Sequence, residues 1–235
     1  MLEKLYIVIP CYNEEDNLPK LVSSITEFAK GRDLEFVLVE NGSKDNSYML
    51  MKELINDKPF IKIEKVDVNQ GYGYGLHQGI KAATGDYIGW IHADLQLPLS
   101  DVSQFLDRIE TFNGPERLFL KGTRHNRSFA DYFFTYGMTC FESLLFGRWL
   151  FDIGAIPVFF DRSLLSKLER VPKDFSVELF IYNVAKANGY QVERLPVHLL
   201  KREKGKSSWN TGMISRLRQS MRIIKASINI KKGKI

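Results

Sequence analysis

Two cysteines, four histidines and eight prolines in 235 residues leave several chemistries without their materials. Cys11 and Cys140 stand far apart and in no metal or redox motif, so both read as reduced thiols, buried or incidental. His77, His92, His125 and His198 form no HExxH-type zinc pattern. No serine sits in a GxSxG elbow and no GxxxxGK[ST] loop is present. A zinc protease, a covalent serine hydrolase and a P-loop ATPase therefore lack support. No apolar run reaches the roughly 18–20 residues that span a bilayer. Met1-Leu2-Glu3-Lys4 runs straight into a strand with no signal peptide before it, so a cytoplasmic location is expected.

What is present is ordinary for a soluble globular domain: 44% hydrophobic and 26% charged residues, enough for one large core. The net charge of +5 conceals an asymmetry. Residues 201–235 hold 11 Lys/Arg against one acid, Glu203, whereas residues 1–200 hold 22 basic and 27 acidic groups. A basic tail on an acidic body points to a local electrostatic contact with a phosphorylated substrate, a nucleic acid or an anionic membrane. No recognised nucleic-acid module accompanies it, so nucleic acid is not an expected partner. The expected location extends to peripheral contact at the cytoplasmic membrane face.

Leu5–Pro10, Glu35–Val39, Ile61–Val66 and Asp86–Ile91 read as buried strands. Helices follow them: one after Asn13–Asn17 with Leu18, Leu21, Val22 and Ile25 inward, one over Ser47–Leu54, one over Tyr74–Ala83. This alternation predicts an open α/β sheet, mixed but mostly parallel and flanked by helices. Farther on, Asp101–Phe112 reads as a helix, Arg117–Gly122 as a strand, and Phe129–Phe151 as an aromatic stretch broken by Gly137 and Gly147. Ala155–Phe160 is a strand, Val177–Asn188 an amphipathic helix closed by Gly189, and Tyr190–Pro196 a last strand. Lys201–Asn210 is polar and flexible. From Met213, Ile214, Leu217, Met221, Ile224 and Ile228 recur at helical spacing, which divides the chain into a body, 1–212, and a basic amphipathic segment, 213–235.

The most informative stretch is Gly85–Pro98, where a strand ends in the polar cluster His92-Ala93-Asp94-Leu95-Gln96. In α/β proteins ligand groups sit at such strand ends, and Asp94 there could meet a divalent cation. Gly71-Tyr72-Gly73-Tyr74-Gly75 opens a helix after the third strand. It serves either close phosphate approach or helix packing, and its GxGxG spacing in that place argues against a nicotinamide site.

These segments together resemble glycosyltransferase family 2, particularly its dolichol- or polyprenyl-phosphate sugar transferase branch, over roughly residues 5–210. Ile9-Pro10-Cys11-Tyr12-Asn13-Glu14-Glu15, Val39-Glu40-Asn41-Gly42-Ser43, Asn69-Gln70-Gly71, His92-Ala93-Asp94-Leu95-Gln96 and Gly122-Thr123-Arg124 match its motifs in order. Asp152, Phe160-Asp161-Arg162, Phe175-Ser176-Val177-Glu178 and the late Arg202, Lys206, Ser207 continue the match. The resemblance implies a GT-A fold and inverting transfer from a nucleotide-diphosphate sugar. It implies donor contacts from Pro10, Tyr12, Glu14, Glu40, Gly71 and Asp94, and acceptor or phosphate contacts from Arg124, Arg202, Lys206 and Ser207. Asp152, then Glu178, are the implied bases where the acceptor is a sugar hydroxyl; a lipid phosphate acceptor needs none. Asp94 with Gln96 would hold Mg²⁺ or Mn²⁺. Two departures stand out: His92 replaces the first aspartate of the usual Asp-Ala-Asp, and Glu40-Asn41 replaces an acidic pair. His92 could contact the pyrophosphate or the acceptor directly. The competing account is a catalytically eroded nucleotide-sugar-binding or scaffold protein. The phenylalanines and tyrosines of 129–146 suit an acceptor path, an interface or plain core packing, and the tail suits an anionic membrane, a membrane protein or the body itself.

Overall fold

The computed structural model describes residues 5–114, 117–125, 129–200 and 213–234, with backbone alone for 213–219. Seven strands form one sheet in the order β3-β2-β1-β4-β6-β5-β7. The parallel half is β1 (Leu5–Cys11), β2 (Leu34–Asn41), β3 (Ile61–Val66) and β4 (Tyr87–Trp90). Every residue of β2 is buried, and β1 is buried except at the half-buried Pro10. Helices covering both faces account for that, since a parallel sheet takes continuous apolar strands. The helices are α1 (Leu18–Ala29), α2 (Ser47–Ile55), α3 (Tyr72–Ala82) and α4 (Leu99–Glu110). Leu18, Leu21, Val22 and Ile25 of α1 all turn inward, as their spacing requires.

The second half departs from the sequence expectations. β5 (Leu118–His125) and β7 (Gln191–His198) run on past their expected ends and pair in parallel. β6 covers only Val158–Asp161 and lies antiparallel between β4 and β5. It is therefore the start of β6, not its end, that lies level with the carboxyl end of β4. A 3₁₀ turn over Arg162–Lys167 follows, then α6 (Val177–Ala187).

The aromatic stretch is not broken at Gly137. It forms one helix, α5 (Phe129–Phe146), that passes through that exposed glycine and stops at Gly147, whose φ of 69° suits the helix exit. α7 (Met213–Lys231) packs on α5. Among its described side chains, Ser227 and Ile230 are buried, Met221 is exposed and Ile224 and Ile228 are half-buried, while Ile214 and Leu217 of the expected stripe lie outside the described side chains. The inward face is thus rotated from the expected apolar stripe, because α7 meets a polar side of α5: Ser227 Oγ donates to Glu142 Oε1 at 3.2 Å.

Candidate active site

The order β3-β2-β1-β4 reverses direction at β1, and a crevice opens at the carboxyl ends of these strands, where α/β sheets place ligands. The cavity measures about 790 Å³, within the range of small-molecule sites. Tyr12, Asn13 and Glu14 enter it from the end of β1. Their loop is stitched to the one after β2: the Asn13 and Glu14 N–H groups donate to the Ser43 and Ser47 hydroxyls at 3.1 and 3.0 Å, and Lys44 N–H donates to Asn13 Oδ1 at 2.8 Å. Asn41 Nδ2 in turn donates to Gly71 O at 3.2 Å, tying in the turn before α3.

That turn is built for packing. Gly71 has φ of 114°, and a Cβ there would lie 2.3 Å from Lys173 O, so no other residue fits without movement. Tyr74 N–H, an early donor of α3, is taken by Lys173 O at 3.2 Å. Of the two readings of the glycine run, close packing of α3 against 172–174 is the one realised, although Gly71 itself also lines the cavity.

The floor of the crevice joins three ionisable side chains. Tyr72 donates to Glu178 Oε1 at 3.2 Å, and its oxygen lies 3.2 Å from His92 Nε2. His92 Nε2 is 3.7 Å from Glu178 Oε1. Phe175 stacks on the Tyr72 ring, centroids 4.6 Å apart and planes 8° off parallel. Burial pushes the Glu178 carboxyl up, but the His92 imidazole, Lys121 and Arg124 together hold it below its ordinary value. Burial pulls the imidazole down, but the Glu178 and Asp94 carboxylates outweigh it and raise His92. A protonated Nε2 donates to the tyrosine oxygen, whose own proton goes to Glu178. Behind this trio the fully buried Lys121 ammonium donates to Ala155 O at 2.7 Å, and desolvation lowers it to about 7.

One wall carries Arg124, from β5. It grips the buried Asp152 carboxylate with two nitrogens, Nε to Oδ2 at 3.2 Å and Nη2 to Oδ1. Asp152 N–H donates to Thr139 Oγ1 of α5 at 3.4 Å. Asp94 also lines the cavity, and its Oδ1 accepts Gln96 N–H at 3.1 Å. Among the described residues, the non-glycine positions with positive φ are Asn13 (54°), Leu95 (58°) and Asp152 (42°). All three stand at this crevice, and such backbone is costly unless its surroundings over-determine it.

The family model described as Glycosyl transferase family 2 matches residues 6–129, more than half of the chain. The chain belongs to glycosyl transferase family 2. Two undecaprenyl-phosphate 4-deoxy-4-formamido-L-arabinose transferases are among its relatives. The one from Enterobacter sp. (strain 638) is 32% identical over 113 residues, 46% of this chain and 34% of the relative. The one from Pseudomonas fluorescens (strain Pf0-1) is 36% identical over 110 residues, 44% and 32% respectively. The aligned part is thus about a third of these relatives' length. Among solved structures, glucosyl-3-phosphoglycerate synthase from Mycobacterium tuberculosis, in complex with Mn²⁺, UDP and glucosyl-3-phosphoglycerate, superposes with a TM-score of 0.73 at 17% identity, covering 98% of this chain and 80% of that one. A mannosyltransferase from Pyrobaculum calidifontis with GDP-mannose and Mn²⁺ gives 0.64 at 18%, covering 97% and 70%. These likenesses establish the glycosyltransferase fold expected from sequence.

Within this family member, Pro10, Tyr12, Glu14, Gly71, His92, Asp94, Gln96 and Arg124 all line the cavity. Glu40 does not: its buried carboxylate accepts Ser43 N–H at 2.5 Å and shapes the turn, while the neighbouring Asn41 reaches the crevice. Asp152 and Glu178 lie behind the lining, paired with Arg124 and with Tyr72 and His92. The Gln96 amide donates to Leu200 O at 3.1 Å, so it pins the far loop. Arg202, Lys206 and Ser207 lie outside the described residues. Tyr72, Phe175 and Asn41 fall inside the motifs read from sequence but were given no role at the site. A tyrosine inside a glycine-rich helix start was the one available signal for Tyr72.

Proposed function

We propose that this chain is an inverting glycosyltransferase that moves a sugar from a nucleoside-diphosphate sugar to a polyprenyl phosphate at a membrane face. The carrying observation is that both expected bases are already committed. Asp152 is held in the fork of Arg124, and Glu178 is buried beneath Tyr72 and His92. A sugar hydroxyl acceptor needs a base to take its proton, whereas a phosphate monoester arrives as an anion. The relatives named as undecaprenyl-phosphate transferases support the same reading.

In this mechanism a phosphate oxygen of the acceptor attacks the anomeric carbon from the face opposite the nucleotide. The bond from that carbon to the β-phosphate oxygen breaks, and the nucleoside diphosphate leaves with the electron pair. Tyr12, Asn13, Glu14 and Asn41 bound the nucleoside side. Arg124 faces the acceptor phosphate while Asp152 fixes its guanidinium plane. His92, whose imidazole the Glu178 carboxylate favours in its protonated form, stands on the floor where the departing diphosphate gathers charge.

A divalent cation fits beside Asp94. Its carboxylate oxygens are hard ligands of the kind Mg²⁺ and Mn²⁺ take, so Asp94 would hold the ion. Such an ion would supply charge neutralisation in a cavity whose lining includes the carboxylates of Glu14, Asp16, Asp94 and Asp174 as well as His92 and Arg124.

The test is a panel of uridine and guanosine diphosphate sugars, each offered a short-chain prenyl phosphate in detergent or a saccharide. Nucleoside diphosphate release that requires the prenyl phosphate, with the glycosyl prenyl phosphate seen by mass, supports the proposal. Release with saccharides alone, or with neither acceptor, overturns it.

A further inference from the structure

The helix α5 is inside out for a helix bathed in water. Apart from Gly137, its exposed positions among the described side chains, Phe129, Tyr132, Phe133, Tyr136, Cys140 and Leu144, fall on neighbouring turns three and four residues apart, so they form one stripe without a charge. At a rise of 1.5 Å per residue the stripe is about 22 Å long. Phe129 is 87% exposed, Leu144 86% and Phe133 69%. The opposite face buries Thr139 and Glu142 along with Phe146. A contiguous apolar surface of this kind marks an interface, not a solvated face.

What covers it is indicated by charge. The neighbouring α7, joined to α5 through Ser227 and Glu142, exposes Met221, Arg222 and Lys225. Residues 213–234 hold seven Lys/Arg and no acid. Apolar side chains on one helix beside a basic helix match an anionic lipid surface, whereas a second copy would set the like charges of two α7 helices near one another. No described helix is long and apolar enough to cross a membrane, so the contact is a lying one.

The geometry points to the α5 stripe, flanked by α7, as the face that docks on an anionic phospholipid bilayer. α5 begins four residues after the end of β5, which carries Arg124, and its inner Thr139 receives the Asp152 N–H. The lipid-facing stripe and the Arg124–Asp152 pair thus lie on opposite sides of one helix. If the acceptor is a prenyl phosphate, as proposed above, this arrangement delivers its headgroup from the bilayer to Arg124; the docking face itself does not depend on that reading.

The experiment is co-sedimentation of the full chain with phosphatidylglycerol-containing and with pure phosphatidylcholine vesicles. The variants are F133S/L144S in the stripe and R222E/K225E on α7, with thermal melts to confirm folding. Each pair is expected to weaken binding to anionic vesicles about tenfold, with little binding to neutral ones throughout. Equal binding to both lipids, no binding, or unchanged binding by folded F133S/L144S overturns the proposal. So does a lipid-free dimer, seen by sedimentation velocity, that F133S/L144S dissolves. Transfer to detergent-solubilised prenyl phosphate, measured on the same proteins, separates the two readings. Vesicle binding that needs the stripe, without any transfer by wild type, would remove the enzymatic proposal and leave the docking face standing.

Discussion

Arg124 and Asp152 form a two-pronged ion pair whose carboxylate is 3% exposed, so each fixes the other's place at the edge of the crevice. Asp152 also sits at φ of 42°, a conformation that asparagine tolerates far better than alanine. Asp152→Asn therefore removes the charge and keeps the backbone. Turnover is expected to fall about tenfold to a hundredfold, because Arg124 loses its orientation and its compensating charge. Donor affinity by calorimetry is expected to stay within about twofold of wild type. Unchanged turnover would exclude Asp152 from acceptor positioning.

Tyr72→Phe isolates one hydroxyl. The ring still stacks on Phe175, but the link between His92 and Glu178 is lost. Hydrogen bonds to charged groups contribute about 1.5–3 kcal/mol to stability, so the melting temperature is expected to fall by several degrees, and kcat, measured well below that melt, by about tenfold. A variant as active as wild type would show that the hydroxyl has no part in the reaction.

Chelation tests the cation beside Asp94. After exhaustive metal removal, donor binding is expected to weaken, and Mg²⁺ or Mn²⁺ is expected to restore it in wild type but not in Asp94→Asn. Calorimetric titration with the nucleoside diphosphate is the measurement. Undiminished binding and turnover in excess chelator would assign the neutralising role to His92 and Arg124 alone.

Glu142 gives the fold a pH dependence. Its carboxyl is buried between α5 and α7, and desolvation raises it to about 8 despite the Ser227 hydroxyl. A raised carboxyl favours the folded state fully below its unfolded value. That contribution is lost as pH climbs from the unfolded value towards about 8. Glu142→Gln removes the dependence. The variant and wild type are expected to melt alike near about pH 5, and the variant several degrees higher near about pH 8.5. Parallel curves across that range would show that the carboxyl is ionised in the fold.

The parallel half of the sheet was legible because buried β-branched strands and amphipathic helices write their period into the sequence. Leu18, Leu21, Val22 and Ile25 pointed inward as read, and β3 falls on Ile61–Val66 as read. The crevice was legible through strand-end motifs, which placed Tyr12, Glu14, His92, Asp94 and Arg124 on its lining. The rest depends on distance in space. Nothing in sequence joins Arg124 to Asp152, or Tyr72 to Glu178 more than a hundred residues away. For α5 the sequence left an acceptor path, an interface and core packing open, because periodicity alone does not say that the apolar face is outward and that Glu142 faces in. Glu40, read as a donor contact, lies outside the cavity lining and accepts the Ser43 N–H, a placement that strand-end position alone does not reveal.

The antiparallel setting of β6 divides the molecule along a seam. On one side, loops after β1, β2 and β4 and the turn before α3 line the cavity. On the other, the end of β5 and the segment leading into β6 furnish Arg124, Asp152 and Gly154. The segment 172–175, which follows β6, reaches back across this seam to pack on Gly71 and Gly73 and to line the cavity with Asp174 and Phe175. On the proposed reaction, recombination between relatives at the start of β6 would therefore have to carry a matching 172–175 segment to preserve the cavity.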